Sequence, residues 1–368
     1  MKVLFLTNIP SPYRADFFNE LGKFCDLTVT YEGRDSIERD SKWIGDNAKN
    51  YRSLFLDGKR TNTDQFLCLG IIRVLRGEWD KVIIGNYSSP TSMLAISYMK
   101  MKRIPFIIQA DGGLINRSEN RIKYLLKKHY ISSASSWMSS GKATTDYLTY
   151  YGAHRDKCSV YPFTSLWKKD LDYSLDLKAN KLKIKKKLGM SEQHIVISVG
   201  RFSYDSGYGK GYDLLLKSAE KLEDGIGIYI IGDEPTDEFL KWKHNKNLEH
   251  VHYIGFKVKA DLLEYYAAAD LFVLMTRGDV WGLVINEAMM FGLPIITTDR
   301  CVAGLELVQN DINGYIVPIN NAEQLAEKIT YILKNDKIKS EFGKESLKRI
   351  QPYTIENMAK VNMDILKG

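Results

Sequence analysis

Short apolar runs alternate with stretches of helical hydrophobic spacing along most of the chain. This alternation is typical of α/β domains, in which helices cover both faces of a parallel sheet and the strands are therefore apolar on both sides. In the first half, strands are predicted at residues 3–8, 27–31, 82–85, 105–110 and 136–139, and helices at residues 14–24, 64–76, 90–101, 121–131 and 144–151.

The second half repeats the pattern after a segment that is rich in Lys and Asp. We interpret that segment, residues 168–187, as a domain linker leading into a basic helix. Further strands are predicted at residues 195–200, 228–232, 251–255, 271–275, 295–298 and 315–317, and the chain is predicted to be helical from residue 322 to its end. A chain of 368 residues exceeds the usual size of one domain, so two are expected, residues 1–165 and 166–352.

Two carboxylates mark the polar loop and helix between the predicted strands at 271–275 and 295–298. Asp279 lies in the loop, and Glu287 lies on the first turns of the predicted helix. Both are then expected at the carboxyl ends of the strands, where open α/β sheets bind ligands. There they could accept hydrogen bonds from a polyol such as a ribose or a hexose. An ordinary acidic loop beside a helix-facing Glu is the alternative interpretation.

The segment 279–287 resembles the signature of the retaining glycosyltransferases of family 4 (glycosyl transferases group 1), a carboxylate followed after seven residues by Glu. The resemblance covers essentially the whole chain and implies the GT-B architecture. That α/β architecture has two facing Rossmann-like domains with parallel sheets. It also has a C-terminal crossover helix, here about residues 353–368, that joins the first domain.

The same resemblance implies donor-binding roles for residues of this segment. Glu287 would hold the ribose of a nucleotide-sugar and Asp279 would contact the sugar, where the family usually has a longer Glu. The donor-binding residues implied here are Asp279, Gly282, Leu283, Val284 and Glu287. The segment 251–258 resembles the region that meets the nucleotide base, through backbone groups of Lys257 and Val258, although a plain strand and loop would have the same pattern.

A glycine-containing loop follows the predicted strand at 195–200. Its glycines permit close backbone approach, and the helix predicted after it favours anions at its N-terminus. Arg201 and Lys210 add two cations, which could hold a diphosphate and neutralise it as it departs. A flexible loop with a surface Lys is the alternative. Beside Glu287, the loop resembles the donor-phosphate site of the family, which implies catalytic roles for Arg201, Lys210 and Asp279.

Two loops of the first half carry the candidate acceptor residues. Tyr13 and Arg14 follow the first predicted strand in a Pro-containing loop, where the family often has a Gly-rich one. Asp111 follows another predicted strand, at a position where many relatives have a His near the reacting sugar. It could act in catalysis by orienting a hydroxyl, or it could cap the following turn. Gly112 and Gly113 keep the approach to it open.

Charge and cysteine content indicate the surroundings in which the protein works. Residues 1–165 carry 24 Lys and Arg against 16 Asp and Glu, whereas residues 166–368 carry 28 against 29. The basic excess around Arg121, Lys123, Lys127 and Lys128 could rest on an anionic membrane, or it could be a solvated helix face. No nucleic-acid-binding motif accompanies it. Four scattered cysteines favour a cytoplasmic protein. If the basic residues rest on an anionic membrane, the protein is expected to be peripheral at the inner face of that membrane.

The predicted function is transfer of a sugar from a nucleotide-diphosphate sugar to a saccharide acceptor, lipid-linked as in surface polysaccharide biosynthesis, with retention. In the resembling family the leaving phosphate helps to deprotonate the acceptor. No cofactor or metal is expected, because the six His are scattered and two cations could replace a divalent ion. A nucleotide-sugar epimerase of related architecture and a non-catalytic GT-B scaffold remain alternatives. A dehydrogenase is disfavoured, since no Gly-x-Gly-x-x-Gly follows the first strand.

Overall fold

The computed structural model describes residues 1–35 and 47–368. The chain divides into two compact units. Unit 1 comprises Met1–Ser165 together with Tyr353–Gly368, and unit 2 comprises Leu166–Pro352. The end of the chain therefore folds as part of the unit that contains its beginning.

Unit 1 is built on a parallel sheet. Its described strands follow the order β3-β2-β1-β6-β7-β8-β9, and β4 and β5 form a separate antiparallel hairpin. The strands are β1 (Lys2–Thr7), β2 (Asp26–Tyr31), β3 (Arg52–Phe55), β4 (Lys59–Asn62), β5 (Gln65–Leu67), β6 (Lys81–Ile84), β7 (Ile107–Ala110), β8 (Ser136–Ser139) and β9 (Cys158–Val160). The order reverses between β1 and β6, and such switch points are where open α/β sheets bind ligands.

The helices of unit 1 cover this sheet. They are α1 (Pro12–Leu21), α2 (Ile71–Leu75), α3 (Pro90–Lys102), α4 (Arg121–Ile131), α5 (Lys142–Tyr150) and, from the end of the chain, α15 (Ile355–Lys367). Proline begins α1 and α3, where its fixed φ and missing N–H suit the first turn. Helix α15 packs against α1 and buries an apolar stripe of Ile355, Met358, Met363 and Leu366.

Unit 2 has a six-stranded parallel sheet with the order β12-β11-β10-β13-β14-β15. Relative to its own start this is 3-2-1-4-5-6, the order of dinucleotide-binding Rossmann folds. The strands are β10 (His194–Val199), β11 (Ile226–Ile231), β12 (Val251–Tyr253), β13 (Leu271–Leu274), β14 (Ile295–Thr298) and β15 (Gly314–Val317). The core strands β10, β11 and β13 are almost entirely buried, which explains their continuous apolar runs.

Helices surround the sheet of unit 2. They are α6 (Lys168–Ala179), α7 (Lys181–Lys187), α8 (Tyr212–Ala219), α9 (Asp237–Asn245), α10 (Lys259–Ala268), α11 (Leu283–Met290), α12 (Val302–Leu307), α13 (Ala322–Leu333) and α14 (Asp336–Ile350). Within the described residues, no helix is both long and apolar enough to cross a bilayer.

Two predictions about secondary structure are wrong. Residues 64–76 were expected to form one helix, but they contain strand β5 and the short helix α2. The side chains of Phe66 and Cys68 instead pack in a small apolar cluster beside the hairpin. Residues 168–187 were expected to be a linker leading into a basic helix. The basic helix is present as α7, but the residues before it form α6 and not a linker. The polar composition of residues 168–187 reflects two helices that each bury a narrow face, through Leu171 and Ser174 in α6 and Ile184 in α7.

Candidate active site

The carboxyl edge of the unit 2 sheet brings together two predicted site residues. Lys210 ends the loop after β10, and Asp279 lies in the loop after β13. The Lys210 Nζ donates to Asp279 Oδ2 at 2.6 Å, and both side chains are largely shielded from water. An ammonium and a carboxylate are therefore held together at the end of the central strands. A bound ligand could pair with the Lys210 ammonium in place of Asp279, or with the Asp279 carboxylate in place of Lys210.

Backbone packing explains why glycine precedes helix α8 at this edge. Gly211 has a φ of +72°, and an added Cβ would lie 2.0 Å from the Met275 carbonyl oxygen. A side chain at this position would push the loop off the end of β13. The Thr276 hydroxyl and the Arg277 N–H both donate to the Gly209 carbonyl, at 3.1 and 2.9 Å. The position of Lys210 is therefore set by backbone contacts on either side of it.

An ion pair fixes the same loop from the other side. The Arg277 guanidinium binds both carboxylate oxygens of Asp213, at 2.7 and 2.8 Å, and also donates to the Tyr208 carbonyl at 2.5 Å. Such two-pronged pairs are geometrically specific. At the start of the loop, the Asp233 carboxylate accepts from the Phe202 and Ser203 N–H groups.

Glu287 lies on α11, which begins at the same edge of the sheet. Its Oε2 accepts a hydrogen bond of 3.0 Å from the hydroxyl of buried Tyr266. Burial raises the pKa of Glu287 above its ordinary value, and the Tyr266 hydrogen bond and Lys259 oppose that rise. This carboxylate can accept further hydrogen bonds from a polyol while Tyr266 keeps it in place.

The N-terminus of α11 is shaped by Gly282. This residue has a φ of +96°, and an added Cβ would lie 2.6 Å from Cys301 Sγ. Leu283 and Val284 then form the first turn and are partly exposed. The first N–H groups of a helix have no partner within it and favour anionic or hydroxyl ligands.

The other donor candidates lie on the loops after β10 and β12. Arg201 is exposed two residues beyond the end of β10. Lys257 is partly exposed, and Val258 precedes the first residue of α10. The predicted donor residues therefore lie on loops or helix starts that follow strands of one sheet, and among them Lys210 and Asp279 are in direct contact.

In unit 1, Asp111 joins two buried residues. Its Oδ2 accepts from Arg14 Nη2 at 2.5 Å, and its Oδ1 accepts from the Tyr161 hydroxyl at 2.7 Å. Arg14 is only 5% exposed. Burial alone would lower the pKa of Arg14, but Asp111 and neighbouring tyrosines raise it above its ordinary value, so the guanidinium stays charged. Asp111 is thus held in one orientation at the carboxyl end of β7.

The neighbouring acceptor candidates pack closely around this group. The Tyr13 ring contacts Phe163 edge to face, with ring centroids 5.8 Å apart. An added Cβ on Gly113 would lie 2.5 Å from the Tyr147 ring, so only glycine fits there. Gly112 lies between Gly113 and Asp111 and is partly exposed. The segment Asp111–Gly113 therefore packs closely against Tyr147 of α5.

The four basic residues of α4 do not share one environment. The Lys127 Nζ pairs with Glu119 Oε2 at 2.8 Å and lies 4.9 Å from the centre of the Tyr151 ring, whose hydroxyl also donates to Glu119. Arg121, Lys123 and Lys128 are exposed. Lys127 therefore attaches α4 to unit 1 and differs from the outward-facing residues with which it was grouped.

Sequence analysis missed several partners of these residues. The missed pairs are Tyr266 with Glu287, Tyr161 with Asp111, and Arg277 with Asp213. The two members of each pair are 21 to 64 positions apart in the sequence. The available signals were weak: Arg277 follows a predicted strand, and Asp213 begins a predicted helix. Within the described part of the chain, no three His, Cys, Asp or Glu side chains cluster in a way that could hold a metal ion.

Known proteins are similar to this chain in sequence and in fold. Residues 180–349 match the family described as glycosyl transferases group 1. An uncharacterized glycosyltransferase of Haemophilus influenzae is 27% identical over 286 residues, which cover 74% of this chain and 79% of that protein. The N,N'-diacetylbacillosaminyl-diphospho-undecaprenol alpha-1,3-N-acetylgalactosaminyltransferase of Campylobacter jejuni is 25% identical over 168 residues, which cover 46% of this chain and 43% of that enzyme. The matched region thus spans less than half of the Campylobacter enzyme.

Among solved structures, Anabaena HepE in complex with UDP matches with a TM-score of 0.79 and 16% identity, over 100% of both chains. At this identity the likeness establishes the fold alone. The predicted α/β fold class is confirmed, with two parallel-sheet domains of GT-B type. Residues 180–349, the segment that matches glycosyl transferases group 1, lie in unit 2 of this fold.

Proposed function

We propose that the protein is a retaining hexosyltransferase of family 4, which moves a sugar from a nucleotide-diphosphate sugar to a saccharide acceptor. The observation that carries the proposal is the Lys210–Asp279 ion pair of 2.6 Å, at the edge of the sheet from which α11 presents Glu287. The glycosyl transferases group 1 match of residues 180–349 covers these three residues. The fold neighbour that contains UDP supports a nucleotide donor.

The donor would be bound by unit 2. Glu287, held by Tyr266, would accept hydrogen bonds from the two ribose hydroxyls. The backbone groups of Lys257 and Val258 would contact the base. The first turn of α11, from Gly282 to Val284, would lie against the donor. Asp279 would accept from a sugar hydroxyl and so release Lys210 towards the diphosphate.

Charge neutralisation is the main catalytic contribution expected of this chain. As the bond from sugar to diphosphate breaks, negative charge grows on the leaving group, and Arg201 and Lys210 would stabilise it. Interactions that strengthen as charge develops lower the barrier rather than only tightening binding. These two cations are proposed to act without a metal ion. Retention would follow if the departing phosphate deprotonates the acceptor on the same face of the sugar.

The acceptor would be bound by unit 1. Asp111 is held by Arg14 and Tyr161 and would orient an acceptor hydroxyl, beside Tyr13, Gly112 and Gly113. We propose a lipid-linked acceptor, as used in surface polysaccharide synthesis. The name of the Campylobacter relative specifies an undecaprenol-linked saccharide, which supports this class of acceptor.

Turnover measurements test the catalytic assignment. Lys210→Ala should lower kcat by roughly a hundredfold, as loss of a transition-state donor does. Lys217→Ala is the matched control, because Lys217 is exposed on α8. A Lys210→Ala enzyme with wild-type kcat and only a raised KM would contradict the catalytic role.

Donor binding tests the ribose assignment separately. Glu287→Ala should raise the dissociation constant for UDP, or for GDP or ADP if one of these binds more tightly, at least about tenfold. Release of free nucleotide only when a saccharide acceptor is supplied would distinguish a transferase from an epimerase. Unchanged nucleotide affinity in a folded Glu287→Ala protein would refute the ribose role.

A further inference from the structure

The loop between β10 and α8 carries two tyrosines with different surroundings. The Tyr208 hydroxyl donates to Glu238 at 2.6 Å, and the Tyr208 ring packs on Phe239 with centroids 5.6 Å apart. Tyr204 is 42% exposed, yet the Lys210 Nζ lies 5.5 Å from the centre of its ring. One tyrosine therefore anchors the loop to α9, and the ring of the other lies beside the Lys210 ammonium.

Two glycines define where the Tyr204 ring and hydroxyl lie. An added Cβ on Gly209 would lie 2.3 Å from Tyr204 Cδ1, so the ring rests directly on the Gly209 backbone. An added Cβ on Gly278 would lie 3.9 Å from the Tyr204 hydroxyl. Since Gly278 immediately precedes Asp279, the hydroxyl lies at the edge of the site and the ring covers the lysine.

The backbone holds Tyr204 in this place at a conformational cost. Asp205 and Ser206 both have left-handed backbone angles, with φ of 52° and 50°. For residues other than glycine this conformation is unfavourable, because the Cβ atom comes too close to the following carbonyl oxygen. Asp233 fixes the start of the loop and Arg277 fixes its end, so the turn is maintained between two clamped segments.

We infer that Tyr204 is a diphosphate-binding residue of this site, whose hydroxyl donates to a phosphate oxygen of the donor while its ring shields Lys210 from water. A phenol hydroxyl is a good donor to an anion, and excluding water strengthens the attraction between an ammonium and a phosphate. The inference rests on the proposed function, because it presumes that a nucleotide diphosphate binds beside Lys210.

Calorimetric titration with UDP tests the inference. Tyr204→Phe removes only the hydroxyl and should raise the UDP dissociation constant about tenfold, as loss of a hydrogen bond to a charged group does. Tyr204→Ala and Gly209→Ala should weaken binding at least as much, because the first removes the ring and the second displaces it. Tyr331→Phe is the matched control, because Tyr331 is 46% exposed near the end of α13, and its affinity should stay within about twofold of wild type, as expected for a site away from the phosphates.

Inorganic pyrophosphate and uridine separate the phosphate contact from other effects. Tyr204→Phe should weaken pyrophosphate binding by the same factor as UDP binding and leave uridine binding unchanged. If Tyr204→Phe binds UDP like wild type while Lys210→Ala binds it weakly, the role of Tyr204 is refuted and the proposed function stands. If the wild-type protein binds none of UDP, GDP and ADP, both are refuted.

Discussion

At the scale of single residues, three carboxylates among the candidate site residues are held by three different partners. Asp279 pairs with Lys210, Asp111 pairs with Arg14, and Glu287 accepts from Tyr266. An ion pair stabilises the charged form of a carboxylate. Burial disfavours the charged form, even where a neutral tyrosine is the neighbour. Burial raises the pKa of Glu287, and the hydrogen bond from Tyr266 opposes that rise.

Donor affinity should therefore depend on pH through Glu287. Only the ionised carboxylate can accept hydrogen bonds from both ribose hydroxyls, so affinity should fall as pH falls through the raised pKa, beginning above the ordinary value of 4.5. Tyr266→Phe should move this loss to higher pH, because it removes a hydrogen bond that favours the ionised form. Titrations with uridine, which has no phosphate that titrates between pH 8 and 5, check this over that range, and Glu287→Gln should abolish the dependence. A wild-type affinity that is flat over this range would contradict it.

Glu32 is a buried carboxyl group that follows β2 in unit 1. It accepts from the Ser89 and Ser92 hydroxyls at 2.5 and 2.9 Å, and its Oε2 has no hydrogen-bond partner among the described residues. Burial raises the pKa of Glu32 to about 7, against the opposing effect of the two serines. In the unfolded chain the carboxyl has its ordinary value near 4.5, so the folded state binds the proton more tightly.

The stability of unit 1 should consequently fall as pH rises from about 4.5 to 7, and the loss should be complete above that range. From the two pKa values, unfolding at pH 8 should cost about 2–3 kcal/mol less than at pH 5. Glu32→Gln should remove this difference, whereas Glu78→Gln, at an exposed position, should retain it. Urea unfolding at both pH values measures it, and an equal pH difference in both variants would disprove the role of Glu32.

At the scale of elements, α4 reverses the usual arrangement of a surface helix. Of its eleven residues only Ile131 is buried, while Ile122, Leu125 and Leu126 are 67%, 52% and 46% exposed. Their spacing puts these three on one face of the helix. An apolar face beside exposed basic residues suits the boundary between headgroups and acyl chains, where a helix lies in the plane of the membrane.

Vesicle flotation should show binding to anionic vesicles that weakens with added salt. Replacing Arg121, Lys123 and Lys128 by Gln should reduce it, since each basic residue near an anionic surface contributes about 1 kcal/mol. Replacing Leu125 and Leu126 by Ser should also reduce it, through lost apolar burial.

The matched control removes the same charge from unit 2, by replacing exposed Lys183, Lys186 and Lys337 with Gln. Lys127 is left unchanged in all variants, because it pairs with Glu119. Equal recovery with neutral and anionic vesicles, or equal losses in the test and control triples, would mean that α4 is an ordinary solvated helix.

At the scale of the whole molecule, the two units differ in charge and in continuity. The basic excess lies in residues 1–165, and residues 166–368 carry 28 basic against 29 acidic groups. Unit 2 is one continuous segment, whereas unit 1 is completed by residues 353–368 from the far end of the chain. Each unit has its own sheet and its own buried core.

The two units should differ when they are produced separately. Residues 166–352 should fold alone and, under the proposed function, bind UDP with an affinity near that of the full chain. Residues 1–165 should be unstable unless 353–368 is attached, because α15 buries Ile355, Met358 and Leu366, each worth about 1.5–3 kcal/mol. Circular dichroism during urea unfolding compares the fragments. Equal stability of residues 1–165 with and without α15 would contradict this.

The order of strands and helices was determined largely by local hydrophobic pattern. Helix α4 and strands β8 and β14 begin and end where the sequence predicted, at residues 121–131, 136–139 and 295–298. A strand covered on both faces is largely apolar, as in β13, so its extent is visible in the sequence. The α/β fold class followed from this alternation and was confirmed, whereas the family resemblance supplied the chemistry proposed for the site.

The tertiary structure alone decided which residues meet. Edge elements such as β3, β4 and α6 bury little apolar surface, so their sequences carry too weak a pattern to predict them. Lys210 and Asp279 are 69 positions apart, and Arg14 and Asp111 are 97 apart. Such contacts depend on the order in which parallel strands lie side by side. Local periodicity reports only whether a segment is buried and carries no information about which distant segment becomes its neighbour.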